Sequence, residues 1–413
     1  MSSPQTTSWK AWLPVVSLSC ATFIFVTTEF LPVGLLTNIA RDFHKTESEV
    51  GLLLTGYAWL VALASLPLTL LAARIERRKL LLSLLVLFIG AHGLAAVASE
   101  YWMLVASRVG IALAHSVFWA ITTPLAARLA PEGKKAYGLA VIVVGTSLAS
   151  ILGIPIGTVL GKTFHWQTAF LVVGLAAACV LVILAVLLPR LPATNAGSLR
   201  SLPHLLMRPQ LMLCYLLTAL AITGDFQTFT YIEPFSQEIG GYGDKTVVLI
   251  LFAFGLAGIF GGYANARLTP LWPRTMMIVP LALVGVCLAL IKPFATSLSG
   301  ILALSVIWGV CVTIVMLALQ LRIMALASDA TDVAMAMFSA IFNVGIGSGA
   351  LLGGVVINTL GLANVGYCGA VFLAGSVLVA VVMMRTATGP GAGTLPGTGT
   401  GTGAGAGAGS RPG

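Results

Sequence analysis

The chain alternates long apolar runs with short polar breaks, and this alternation constrains its fold more than any other feature. The runs fall at about 13 to 38, 48 to 73, 80 to 98, 102 to 127, 136 to 160, 166 to 188, 210 to 233, 246 to 266, 275 to 291, 299 to 325, 333 to 357 and 363 to 384. Each is near the roughly 20 residues a helix needs to cross a hydrocarbon core. Composition agrees: 8% of the 413 residues are charged, 58% are hydrophobic and the mean hydropathy is +1.01. A soluble domain carries about 25% charged residues, so a water-soluble fold is ruled out. No region alternates polar and apolar residues at period two, which disfavours a lipid-facing β-barrel. The expectation is an all-α integral membrane protein of twelve transmembrane helices.

The net charge of +9 describes topology rather than a nucleic-acid surface, because the basic residues cluster between the runs. With the N-terminus in the cytoplasm, sixteen basic residues, Arg74, Arg77 and Arg78 among them, fall on that side. Only Arg41, Lys45, Lys162, Lys245 and Lys292 fall on the other. The positive-inside rule then places both termini in the cytoplasm. The first run is too long for a signal-peptide core and reads as a retained span. The six cysteines all lie in apolar segments without a C-x-x-C pair, so neither a disulfide framework nor a metal site is expected.

A hydrophilic stretch at about 189 to 209 separates two sets of six runs, giving expected bundles at 1 to 188 and 210 to 385. Gly145, Gly153 and Gly161 recur as Gly345, Gly353 and Gly361 at a constant offset of 200, the mark of a duplicated half. Parallel six-span repeats build transporters whose site lies between the halves. Residues 386 to 413, rich in Gly, Thr and Ala, read as a disordered tail.

Charge at membrane depth is costly, so what remains there is a functional candidate. Glu29, in FVTTEFLPVGLL, either bonds neighbouring hydroxyls for packing or carries a proton across the membrane. Asp225 and Glu233 lie in ALAITGDFQTFTYIEPF with Gln227 and Tyr231. Asp225 is a second protonation site, a group that binds substrate hydroxyls, or structural; Glu233 is either functional or a wet helix terminus. In the fourth run, spacings of 7, 11 and 14 residues put Arg108, His115, Trp119 and Thr122 on one helical face. Arg108 there tunes Glu29 or forms a structural ion pair; His115 relays protons or packs. Trp308, Gln320 and Asn343 add an aromatic ring and amides from the second half. Rings over C–H faces with amides and hydroxyls on OH groups suit a neutral polyhydroxylated ligand.

The run TTEFLPVGLLTNIA, RIERRK after the second run, Arg108, the Gly145, Pro155 and Gly157 pattern, and ASDATDVAMA at 327 to 336 together carry a family resemblance. SLPHLL, YIEPF at 231 to 235 and WAITTPLAARLAPEGKKA extend it to about residue 385. They resemble the drug and sugar proton antiporters of the major facilitator superfamily, most nearly the bacterial sugar efflux transporters. The resemblance implies two six-helix bundles, Glu29 at the first-span carboxylate position and Arg108 at the fourth-span arginine position. It departs from the family's gating-loop motif G-x-x-x-D-R-x-G-R-R, where Thr69, Ala73 and Glu76 replace Gly, Asp and Gly. Ala112 stands where the fourth-span motif has Gly, and Ile154 separates Gly153 from Pro155.

These readings converge on proton-coupled export of sugars or sugar-like small molecules across a bacterial inner membrane, with Glu29, Arg108 and Asp225 coupling protons. His115, Trp119, Thr122, Gln227, Tyr231, Trp308, Gln320 and Asn343 would line the cavity, and Arg74, Arg77 and Arg78 would form the gating loop. A multidrug antiporter is the alternative, with a passive channel or a membrane enzyme behind it. The five histidines are scattered without ligand spacing and no phosphate-binding G-x-x-x-x-G-K-[ST] occurs. No cofactor, metal or nucleic acid is expected, and the partners are the sugar, protons and the bilayer around a monomer.

Overall fold

A computed structural model describes residues 9–72, 74–132, 135–192, 202–269 and 271–386. The predicted tail, apart from its first residue, and much of the central loop lie outside them. Among the described residues, twelve helices are long and apolar enough to span a membrane: Lys10–Gly34, Glu47–Ser65, Arg77–Ala96, Tyr101–Thr122, Val144–Thr163, Trp166–Leu187, Pro209–Phe229, Asp244–Asn265, Pro273–Leu290, Leu298–Leu326, Val333–Leu360 and Leu362–Arg385. Below they are spans 1 to 12. An even number of crossings brings residues 9 and 386 to one end of the bundle, here the terminal end.

Spans 1 to 6 pack on one another and spans 7 to 12 do likewise, in the same pattern. Span 1 lies on spans 5 and 6 as span 7 lies on 11 and 12; span 3 touches 4 and 6 as span 9 touches 10 and 12. The repeated glycines explain part of this. A methyl group at Gly145 would stand 2.5 Å from the Ser19 carbonyl oxygen, and one at Gly345 would stand 2.8 Å from Ile222 Cβ. Both therefore allow a close backbone approach at equivalent crossings, the usual role of small residues between membrane helices. The two six-helix bundles meet mainly where span 2 packs on span 11 and span 5 on span 8.

That contact closes the end opposite the termini. Ser48 and Asn358 exchange hydrogen bonds there, with Ser48 Oγ 3.2 Å from Asn358 Oδ1 and Asn358 Nδ2 3.0 Å from Ser48 Oγ. Deeper, the Thr55 hydroxyl donates to the Gly347 carbonyl at 3.0 Å and the Trp59 indole to the Val344 carbonyl at 3.3 Å. At the rim, Glu233 is fully buried and accepts from the Thr37 N–H at 2.9 Å, the Thr37 hydroxyl at 3.0 Å and Lys162 Nζ at 2.6 Å. Lys162 also bonds Asp244 at 2.8 Å. Four segments from two bundles are thus tied through one carboxylate and one ammonium.

Candidate functional site

The site begins at a break in span 1. Its α-helix runs Leu13–Phe30 and gives way to a 3-10 turn at Leu31–Gly34. Pro32 is the cause, because it has no N–H for the carbonyl four residues earlier, that of Thr28. Arg108, on span 4, supplies the missing donor: Nη1 donates to the Thr28 carbonyl at 2.8 Å and Nη2 to the Glu29 carbonyl at 3.2 Å. Its guanidinium lies 4.0 Å from the centre of the Tyr57 ring, a cation–π contact in a buried setting. Arg108 therefore caps a helix end, where carbonyls are orphaned and the dipole favours a cation. It holds the backbone of Glu29 rather than its carboxylate.

The Glu29 side chain, 12% exposed, points toward His115, with Oε2 3.7 Å from Nε2. His115 is buried between two further partners: Nδ1 meets the Tyr57 hydroxyl and Nε2 meets the Trp119 indole N–H. An indole nitrogen can only donate, so Nε2 accepts and the ring proton sits on Nδ1. Behind Glu29, the Thr28 hydroxyl bonds His92 Nε2 at 2.8 Å, and His92 Nδ1 donates to the Phe88 carbonyl at 2.8 Å. Spacing along span 4 had placed His115 and Trp119 together; nothing in the sequence signalled Tyr57 or His92, which arrive from spans 2 and 3.

Trp119 and His115 reach the interface between bundles. Together with Ser65, Ser116, Ser339 and Asn343 they line a narrow cleft whose enclosed space, about 10 Å³, has room for a single water. Asn343 is 9% exposed, its amide donates to the Ser339 carbonyl at 3.0 Å, and its Oδ1 has no partner. Ligand pockets typically enclose roughly 300–1,000 Å³. Any ligand larger than a water must therefore part spans 4 and 11 to enter.

The other sequence candidates are distributed. Asp225 is buried and accepts from the Trp308 indole at 2.6 Å, with the Phe229 and Phe254 rings around Trp308. Trp308 stands 200 residues after Arg108, so equivalent positions on spans 4 and 10 each bond the first span of their own half. Phe30 and Phe226, the neighbours of Glu29 and Asp225, meet across the interface with centroids 5.6 Å apart. Gln227 is 1% exposed with both amide atoms unpartnered. Tyr231 is sealed in the closed end, donating to the Ala350 carbonyl at 2.8 Å. The Thr122 hydroxyl turns back to the Phe118 carbonyl at 2.6 Å. Gln320 is half-buried and lies about 18 Å along span 10 from Trp308 at 1.5 Å per residue.

The loop after span 2 binds within its own half. Glu76 accepts from the Leu191 N–H at 2.9 Å, Arg77 N–H donates to the Leu191 carbonyl at 3.0 Å, and Arg78 reaches the Ala185 carbonyl at 2.6 Å. Arg74 is exposed. Glu76 thus has work of its own, fastening the loop to the chain that leaves span 6.

Among solved structures, the fold is similar to a bacterial homolog of the human lysosomal transporter Spinster in an inward-facing and unoccupied conformation. The match has a TM-score of 0.72 and 13% identity, covering 92% of this chain and 98% of that one. The family model for the Major Facilitator Superfamily matches residues 18–333. Two bundles closed on each other at one end, with a polar cleft between them, fit membrane transport by alternating access rather than an enzyme, and the chain belongs to the major facilitator superfamily.

Proposed function

We propose that the protein exports sugars or sugar-like small molecules in exchange for protons across a bacterial inner membrane, acting as a monomer with both termini in the cytoplasm. The observation that carries this reading is the Glu29 carboxyl group set beside His115 at the edge of the inter-bundle cleft. A carboxyl at that depth is costly unless it is used, and alternating access offers it to each face in turn. Proton loading from the periplasm neutralises Glu29; release to the cytoplasm restores its charge. Asn343, Ser339, Ser65 and Trp119 supply the amide, hydroxyls and ring that suit a polyhydroxylated ligand. On this topology the closed end is periplasmic, and the cleft is served from the cytoplasm.

The test uses protein reconstituted in liposomes with an inward proton gradient and labelled arabinose. Gradient-driven arabinose movement in the wild type, abolished in Glu29→Gln, is the expected result. Undiminished driven transport by Glu29→Gln would remove the proton-carrier role. Driven movement of lipophilic cations alone would replace the sugar reading with a multidrug one.

A further inference from the structure

We propose that Trp119 is the residue that makes proton and ligand exclude one another, because its single indole N–H is shared between His115 and the cleft. The inference deepens the proton-coupling reading and rests on it. Two groups compete for one atom, His115 Nε2. Trp119 donates to it now, and Glu29 Oε2 stands 3.7 Å away. On the far side of the ring, Nδ1 faces the Tyr57 hydroxyl, which can either accept or donate.

Two arrangements satisfy these groups. In the first, His115 carries its proton on Nδ1, Nε2 accepts from Trp119, and Glu29 is a neutral acid. An ionised Glu29 would set its charge against the Nε2 lone pair, so this tautomer belongs with the protonated state. In the second, Glu29 is a carboxylate, His115 carries its proton on Nε2 and donates to Glu29, and Nδ1 accepts from Tyr57. Trp119 then has no acceptor on His115. Its N–H turns to the cleft, where Trp119 faces Asn343 and Ser339 of the other bundle. A hydroxyl or ether oxygen of a ligand is the acceptor it then needs.

The change between the two balances. The Glu29 O–H bond breaks and its proton forms the N–H at Nε2. The Nδ1 proton passes to the Tyr57 oxygen, whose own hydroxyl proton goes to water. One proton leaves and the imidazole is neutral before and after. The other groups facing Glu29 take no part in the exchange: Arg108 is engaged by the Thr28 and Glu29 carbonyls, and His92 by Thr28 and Phe88. Bound ligand holds the Trp119 N–H and so favours the carboxylate, while a proton on Glu29 withdraws the N–H and releases ligand. That antagonism is what an antiporter needs.

The experiment has a ligand-free arm and a ligand arm. In protein labelled with 15N-histidine, the ring nitrogens of His115, assigned by loss in His115→Gln, are followed from pH 6 to 9. The expected result is a neutral ring that swaps from the Nδ1–H to the Nε2–H tautomer, and a ring held as Nδ1–H throughout in Glu29→Gln. One tautomer at every pH, or an imidazolium, would overturn the switch. In the ligand arm, the wild type should bind labelled arabinose about tenfold more weakly per pH unit once Glu29 protonates, releasing about one proton per sugar bound. Trp119→Phe, and Trp119 replaced by its sulfur isostere benzothienylalanine, should bind at least tenfold more weakly at high pH, with a flat profile and no proton release. The isostere keeps the shape of the ring, so its loss of coupling is not a packing effect. Retention of the slope and the proton release in both Trp119 variants would overturn the proposal, while driven transport by Glu29→Gln would instead overturn the reading on which it rests.

Discussion

Replacing Lys162 with Gln should open the closed end of the transporter. The Glu233 carboxylate has no exposed surface and Lys162 is 4% exposed at 2.6 Å from it, so this ion pair is held out of water. Losing one partner of such a pair leaves a buried charge uncompensated, at about 3–5 kcal/mol. The two Thr37 donors remain, which argues for the lower figure, about 3 kcal/mol or a shift of more than 100-fold toward the open end. Glu233→Gln should do much less. Lys162 keeps Asp244 at 2.8 Å, and the new amide oxygen still accepts from Thr37, so the loss is about 1 kcal/mol or fivefold. Spin labels at Arg41→Cys and Thr296→Cys, in a background free of native cysteines, report the separation of the two bundles at that end by double electron–electron resonance. The reasoning requires a larger open population in Lys162→Gln than in Glu233→Gln, and both above the unsubstituted pair. Equal shifts, or an unchanged distance distribution in Lys162→Gln, would show that the network does not hold the end shut.

Gly347→Leu should act at the same interface by volume: even a β-carbon there would lie 2.6 Å from the Trp59 indole nitrogen and 3.0 Å from the Thr55 carbonyl oxygen, so the labels should again report opening. Arg108→Lys keeps the charge and loses the fork that spans two carbonyls, together with the Tyr57 contact; we expect a loss of about 2 kcal/mol, read as a lower unfolding temperature in detergent, where an unchanged value would refute the capping role. Asp329, in the loop between spans 10 and 11, receives two hydrogen bonds from Arg208 at 2.7 and 2.6 Å, which hold its carboxyl below the usual range. A depressed carboxyl contributes stability above its ordinary pKa and loses it as pH falls through the folded value. Asp329→Asn should therefore lower the unfolding temperature slightly at pH 7 and match the wild type once the acid is protonated; a gap that persists at low pH would refute the pairing.

The twelve spans were legible because membrane crossing is written in local composition, and the duplication because Gly145 and Gly345 serve the same close approach. The face of span 4 was legible for the same reason: helical spacing alone puts Arg108, His115 and Trp119 together. What each does was not, because their partners come from other spans. The break that Pro32 makes, and its repair by Arg108, were not read from the sequence, because the repair comes from another span. Glu233 offered two readings, of which the wet terminus fails, since its solvent is replaced by Thr37 and Lys162 from the opposite bundle. Tyr231 and Thr122 have side chains occupied by backbone carbonyls, an outcome no spacing rule distinguishes from a cavity-facing hydroxyl.

The two halves put the same architecture to different chemical use. Positions 108 and 308 are equivalent, and each reaches back to the first span of its half. In the first half a guanidinium grips the backbone and leaves the Glu29 carboxyl beside a histidine. In the second, an indole N–H occupies Asp225 directly, within a nest of phenylalanine rings. A carboxyl already bonded to a rigid donor has less freedom to exchange a proton than one 3.7 Å from its neighbour. On the proposed proton-coupled reading, the two acids differ in role: Glu29 would cycle, and Asp225 would hold spans 7 and 10 together. Asp225→Asn, which can still accept from Trp308, should accordingly be the milder change in the driven-transport assay, and Glu29→Gln the one expected to stop exchange; equal losses in the two variants would refute this division.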